Sequence, residues 1–172
     1  MLRILDHILP GDSSDTIADV NHAAFVQAHG HLLSENALSK CTPEVFRSYW
    51  KNHPNPKCVY GYAYVGDTLA GFTVLSQCRH AGLEQYAEMR SLYVHPNHQK
   101  KGIGQALLQW GVERMRATAN GKMVVQVVSA NAARDFYLRT GAEHVISHKR
   151  DVFGDVVDID VLCYTIAKQQ LA

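Results

Sequence analysis

Six consecutive residues, Gln99-Lys100-Lys101-Gly102-Ile103-Gly104, carry the densest chemical signal in the chain. They lie between an apolar run, Met89 to Val94, and a segment in which Ile103, Leu107, Trp110 and the Arg114-Met115 pair recur three or four apart. That recurrence predicts an amphipathic helix with one face against a sheet. The loop therefore opens a helix, where the first backbone N–H groups lack intrahelical partners and the dipole favours negative charge. Glycines at 102 and 104 remove side chains that would keep an anion away from those N–H groups, and two lysines add positive charge. The chemistry this combination suits is the holding of a phosphate-bearing ligand.

Spacing narrows the ligand. A nucleotide P-loop requires GxxxxGK[ST], and the chain has no such run. A dinucleotide loop requires GxGxxG, and Leu107 stands where its third glycine belongs. What is present is Leu92-Tyr93-Val94-His95-Pro96 followed by Gln99-x-x-Gly102-x-Gly104. This pattern resembles the acyl-CoA loop of the GNAT superfamily of N-acetyltransferases. A second stretch, Asn131-Ala132-Ala133-Arg134-Asp135-Phe136-Tyr137 with Gly141 beyond it, is similar to the signature that follows the second parallel strand in that family.

The resemblance implies an acetyl-CoA-dependent N-acetyltransferase: direct transfer from thioester to amine in a ternary complex, with no metal. It assigns the main chain of Leu92, Tyr93 and Val94 to the pantetheine arm and thioester, and Gln99, Lys100, Lys101, Gly102, Ile103 and Gly104, with Gln105, to the pyrophosphate. It also assigns Asn131 to the pantetheine amide and Tyr137 to the departing sulfur as general acid. A phenol, with a pKa about 10, keeps its proton until a thiolate develops. Taken as residues alone, Asn131 is equally a helix cap, Tyr137 an aromatic anchor beside Phe136, and Leu92 and Val94 core residues.

An amine of pKa about 10.4 must also lose a proton before it attacks. Glu88, just before the central strand's core, matches a position where family members carry a catalytic glutamate. Its alternation with Arg90 suits equally a solvent-facing strand residue in a salt bridge. Four acids near the last hairpin, Asp151, Asp155, Asp158 and Asp160, are either an attractant for a cationic acceptor or the solvated face of alternating strands.

The elements that must position these residues follow from periodicity. Arg3 to Leu9 reads as an opening strand. Ser14 or Asp15 caps a helix with Ile17, Val20, Ala24 and Phe25 on one face. Thr42-Pro43-Glu44 opens a second helix running to about Trp50. From Cys58 the period changes to two, and Gly66-Asp67 marks a hairpin whose return strand is Leu69 to Gln77. Met123 to Val128 is the continuous β-branched run of a strand buried on both faces, a parallel partner for Met89–Val94. A helix from Asn131 ends at Thr140-Gly141, and Glu143 to Ile166 holds two strands joined near Phe153-Gly154-Asp155. The order β-α-α-β-β-β-α-β-α-β-β predicts an α/β (α+β, mixed-sheet) fold. It is also the GNAT order of elements.

The 172 residues suit one domain, 1–172, and 47% hydrophobic with 19% charged residues is ordinary for a globular chain. A net charge of +1 and no basic stripe argue against nucleic acid, and no apolar run or leader pattern argues for a membrane. Cys41, Cys58, Cys78 and Cys163 form no CxxC, so the expectation is reduced thiols in the cytoplasm. His29-x-His31 and His95-x-x-His98 match no metal motif and read as turn or surface histidines. The expected partner is a small-molecule amine or peptide acceptor, with a homodimer as an expectation by analogy. The competing reading is a non-catalytic acyl-CoA-binding or regulatory module. A cysteine nucleophile at Cys163 or Cys78 lacks any motif.

Overall fold

The computed structural model describes residues 1–117 and 120–166. Seven strands form one sheet in the order β1-β2-β3-β4-β5-β7-β6. They are β1 Leu2–Leu5, β2 Val59–Val65, β3 Thr68–Gln77, β4 Ala87–Val94, β5 Lys122–Val128, β6 Glu143–Val152 and β7 Asp155–Thr165. The helices are α1 Ser14–His29, α2 Glu35–Leu38, α3 Pro43–Trp50, α4 Ile103–Met115 and α5 Ala133–Arg139. This is the expected mixed α/β fold with the expected order, plus a 3-10 turn at Pro96–His98 and a short extra helix, α2. Four residues carry too little periodicity to announce a helix; its one sequence signal is Ser34, whose hydroxyl accepts from the Ala37 N–H at 3.2 Å.

Two boundaries differ from expectation. The first strand stops at Leu5, not Leu9, because its pairing with β2 ends at Leu5↔Tyr62. The Leu9 N–H instead donates to the Tyr64 hydroxyl, which itself donates to Asp12. The cap of α1 is Ser13 rather than Ser14 or Asp15: Ser13 and Thr16 satisfy each other's backbone N–H groups in a capping box.

All strand pairs are antiparallel except β4 with β5, whose crossover is α4. On one face, α1 and α3 pack Ile17, Phe46 and Trp50 against Tyr62, Tyr64 and Phe72. On the other, Leu108 and Met115 of α4 and Tyr137 of α5 pack with Met89, Met123 and Leu162. Each large side chain so buried contributes roughly 1.5–3 kcal/mol, which fixes both layers. Gly61 and Gly111 let α4 lie close to the sheet: a Cβ at Gly61 would stand 2.6 Å from the Trp110 ring, and one at Gly111 2.8 Å from Met89 Cε.

The parallel pair is short. Only Ala87↔Met123, Glu88↔Val124 and Met89↔Val125 are in register, so β4 from Arg90 to Val94 and β5 from Gln126 onward diverge. A sheet that is continuous at one end is thus forked at its middle.

Candidate functional site

The fork opens into a cleft of about 820 Å³. One wall is β4 from Met89 to Val94, the other β5 from Val125 to Val128. The loop and first turn of α4 close one end, and α5 lies along the floor with Asn131, Phe136 and Tyr137. Most of the residues singled out in the sequence meet here: Leu92, Tyr93, Val94, Gln99, Lys100, Gly102, Ile103, Gly104, Gln105, Asn131 and Tyr137 all line the cleft. Lys101 and Glu88 do not.

The loop is shaped by backbone conformation. Gly102 holds φ +79°, and Lys100 adopts the same left-handed region at +57°. The first ladder bond of α4 runs from the Ala106 N–H to the Gly102 carbonyl at 3.0 Å. The N–H groups of Ile103, Gly104 and Gln105 precede that bond and are the donors a helix start leaves over. The Gln99 side chain ties the loop down by donating to the Val94 carbonyl at 3.0 Å and to Gln27 Oε1 at 3.1 Å. Lys101 turns away, its ammonium donating to the Asn97 carbonyl at 3.0 Å.

Tyr137 is 6% exposed, and its hydroxyl makes no hydrogen bond to another described residue. Burial, reinforced by the phenols of Tyr164 and Tyr93, raises its pKa well above the ordinary value. Tyr93, on the facing wall, is pushed up to about 12, mainly by burial. Both phenols are fully protonated at neutral pH.

Asn131 is a cap and more. Its Oδ1 accepts from the Ala133 N–H at 2.8 Å, and its Nδ2 contacts His29 Nε2 at 3.0 Å. Because His29 Nδ1 lies 3.1 Å from the Phe25 carbonyl, the ring donates there and accepts from Asn131, a neutral tautomer. Burial lowers the His29 pKa, the Phe25 bond opposing that shift. Of the histidines read as turn or surface residues, His29 is the exception: at 8% exposure it ends α1 inside the cleft.

Glu88 is not solvent-facing. It is 2% exposed, and its carboxylate accepts from the Arg79 backbone and guanidinium at 3.1–3.4 Å and from Gln126 Nε2 at 3.0 Å. Gln126 lines the cleft and carries the connection onward: its Oε1 accepts from Arg150, and His148 Nε2 lies 3.2 Å away.

The idea that the hairpin acids attract a cation is not supported by their positions. Asp155 accepts from Ser34, Asp158 from Lys149, and the Gly154 N–H bonds Asp151. Asp160 is buried beneath α5. Burial alone would raise its pKa, but hydrogen bonds from Arg134, Ser129 and Ser147 outweigh that and hold it at about 2. No described carboxylate lines the cleft, whereas Arg90, Lys100, Arg139 and Arg150 do. Sequence reasoning missed His29, Gln126 and Arg150, which sit in no contiguous motif, and it used Arg90 only as a neighbour of Glu88. No group of three or more metal-ligating side chains occurs among the described residues, and no described helix is long and apolar enough to cross a membrane.

Known proteins resemble this chain in sequence or in fold. A Salmonella typhimurium protein, L-methionine sulfoximine/L-methionine sulfone acetyltransferase, is 36% identical over 77 residues, covering 44% of this chain and 38% of the relative. Among solved structures, the PaiA N-acetyltransferase of Thermoplasma acidophilum in complex with coenzyme A superposes with a TM-score of 0.69. It is 18% identical, with 96% of this chain and 99% of that one covered. The Salmonella typhimurium protein yncA with its cofactor acetyl-CoA gives 0.65 at 20% identity, covering 99% and 96%. At these identities the two structures speak to the fold. The profile of the acetyltransferase (GNAT) family matches residues 23–142, from the middle of α1 to the end of α5, and the chain belongs to that family.

Proposed function

We propose that the chain, acting as one domain over residues 1–172, is an acetyl-CoA-dependent N-acetyltransferase. In this reading it passes the acetyl group to a primary amine of a small molecule or peptide by direct attack in a ternary complex. The observation that carries the reading is the fork: five consecutive residues of β4, Arg90 to Val94, have no partner on β5 and border a cleft that ends at the open N–H groups of α4. A pantetheine arm is a strand-like chain with amides of its own, and a diphosphate is the anion a helix start accommodates. Those features fit acetyl-CoA, which supplies an acyl group already activated as a thioester.

Leu92, Tyr93 and Val94 would hold the pantetheine arm through their main chain. Gln99 to Gln105 would hold the diphosphate, with Lys100 contributing charge and Lys101 turned to the Asn97 carbonyl. Asn131 would present its remaining amide N–H to the arm. Tyr137 faces the cleft with an unengaged hydroxyl and is the donor to the departing sulfur. Glu88 is assigned the amine proton through water, because no described carboxylate stands in the cleft itself. The name of the Salmonella typhimurium relative, which specifies two amino-acid acceptors, supports an amine as the nucleophile.

The test is thiol release from acetyl-CoA against a panel of primary amines. Tyr137→Phe is expected to lower kcat about 100-fold, with the KM for acetyl-CoA within about threefold of the original. Glu88→Gln is expected to lower kcat at every pH where the wild type is active. An unchanged kcat would reduce Glu88 to a structural ion pair. Tight binding of CoA with no thiol released by any amine would instead make the protein a binding module.

A further inference from the structure

The charge distribution in the cleft is lopsided in a way that acetyl-CoA does not account for. Lys100 stands at the glycine loop. Arg90 and Arg150 stand at the fork, on opposite walls, Arg90 on β4 and Arg150 reaching from β6 to Gln126 on β5. Four residues of extended strand separate Arg90 from Val94, about 13 Å at 3.3 Å per residue. The fork guanidinium groups are therefore remote from the phosphate end.

Arg90 is also poorly satisfied. Its Nε is buried without a hydrogen-bond partner, and Nη1 bonds only the Cys58 sulfur at 3.2 Å. A thiol is a weak acceptor, and no described carboxylate forms an ion pair with this guanidinium. The contrast with its neighbour is direct: Arg79 is matched to Glu88, whose own oxygens also hold Gln126. The nearest acid is thus already committed. The Nε is walled off, but the terminal Nη1 and Nη2 groups have donors to spare, and a carboxylate matches that pair in two parallel bonds.

From Ser91, the residue after Arg90, the cleft adjoins a side pocket of about 230 Å³, which shares Phe25, Ser91 and Tyr93 with it. Its remaining walls are Asn21, Val45, Phe46, Tyr49 and Phe153, with no charged residue. An anionic group would therefore be met by the arginines, and an uncharged side chain by the aromatic pocket.

We propose that Arg90, assisted by Arg150, is a carboxylate-binding site, and that the acceptor is an amino acid with an uncharged side chain rather than a polyamine, aminoglycoside or other polycation. This rests on the acetyl-transfer reading for what happens to the amine, but the binding site itself does not. The acceptor's carboxylate accepts from the Arg90 Nη1 and Nη2 groups, its side chain enters the Phe25–Phe46–Tyr49 pocket, and its amine is left toward the cleft.

The test uses the CoA-loaded protein and four amino acids (methionine, methionine sulfone, leucine and phenylalanine), each with its methyl ester and its decarboxylated amine. Calorimetric binding reads the site without turnover, and thiol release reads transfer. The best acid is expected to exceed its ester and its amine by at least about 100-fold in affinity and in kcat/KM. In Arg90→Met and in Arg90→Lys that ratio should collapse to within about fivefold, because a point charge does not replace the bidentate fork. CoA affinity, measured in the same variants, reports that the fold is intact. Failure of every acid to bind, esters binding as well as acids, or a ratio preserved in both variants overturns the proposal. Acids that bind through Arg90 without thiol release refute acetyl transfer and leave the carboxylate site standing. Faster turnover of the decarboxylated amines or of polyamines does the reverse.

Discussion

At the glycine-loop end of the cleft the groups offered to a ligand belong to the main chain; at the fork end they belong to side chains. The loop end is one contiguous stretch, Val94 to Gln105, whose conformation Gly102 and the start of α4 impose. The fork end gathers Arg90, Gln126 and Arg150 from three strands, with Tyr49 and Phe25 from two helices. A site made of backbone tolerates change in most of its side chains and fails when its dihedral angles change. A site made of side chains depends on distant ties that hold the strands in place.

The tie with the largest expected effect is Asp160 on β7. It accepts from Ser129 after β5 at 2.7 Å, from Ser147 on β6 at 2.8 Å and from Arg134 on α5. Three elements that frame the fork end thus meet at one carboxylate that is 5% exposed. Asp160→Asn leaves Arg134 without its counter-charge and is expected to cost about 3 kcal/mol of stability, read by urea unfolding. The sign of its pH dependence follows from a folded pKa of about 2 against the ordinary 3.8. The contribution is complete above about pH 4 and is lost as pH falls toward 2. A variant as stable as the parent at pH 7 would mean that the fork end does not lean on this tie.

The loop end is sharpened by a pair of smaller effects. Gly102→Ala places a side chain at φ +79°, which costs roughly 1–2 kcal/mol, although the space around it is open. Affinity for CoA is expected to fall about fivefold to tenfold. Lys101→Ala, whose ammonium is spent on the Asn97 carbonyl, should stay within about twofold. If the lysine change proves the more damaging of the two, the loop works through charge rather than through backbone shape.

The same division explains what could be read before any coordinates. Backbone sites leave short motifs, because a left-handed residue, a helix start and a strand before it must follow one another in sequence. Gly102 and Gly104 were legible for that reason, whereas Asn131 and Tyr137 entered only through the family resemblance. Arg150 and Gln126 were not, since only the β5-β7-β6 order brings them together. His29 was misread because helix periodicity does not distinguish a buried polar residue from a frayed end. Asp160 had the right chemistry, but its burial under α5 depends on the β7 register. Glu88 was placed on the right strand, but its burial against Arg79 was not legible, because it depends on the loop after β3 folding back over β4.

The smallest expected effect concerns the hydrogen bond that joins α1 to the floor of the cleft, His29 with Asn131. The imidazole donates through Nδ1 to Phe25 and accepts through Nε2 from the Asn131 amide, so it is neutral as folded. Protonation would set an N–H against the Asn131 amide protons, and Asn131 cannot turn its oxygen toward the ring without releasing the Ala133 N–H. Burial depresses the His29 pKa below the ordinary 6.5. Below that pH the unfolded chain takes up a proton that the folded chain refuses, so stability declines as pH falls through this range and is unaffected above it. His53, also lowered by burial, adds a slope of the same sign, so the wild type alone does not isolate His29. Unfolding free energies at pH 7.5 and 5.5, compared between the wild type and His29→Gln, do isolate it, because His53 contributes equally to both. The wild type is expected to lose more than the variant over that interval. Equal losses would show that the α1 contact is not held by a neutral ring, and that the side-chain end of the cleft stops short of α1.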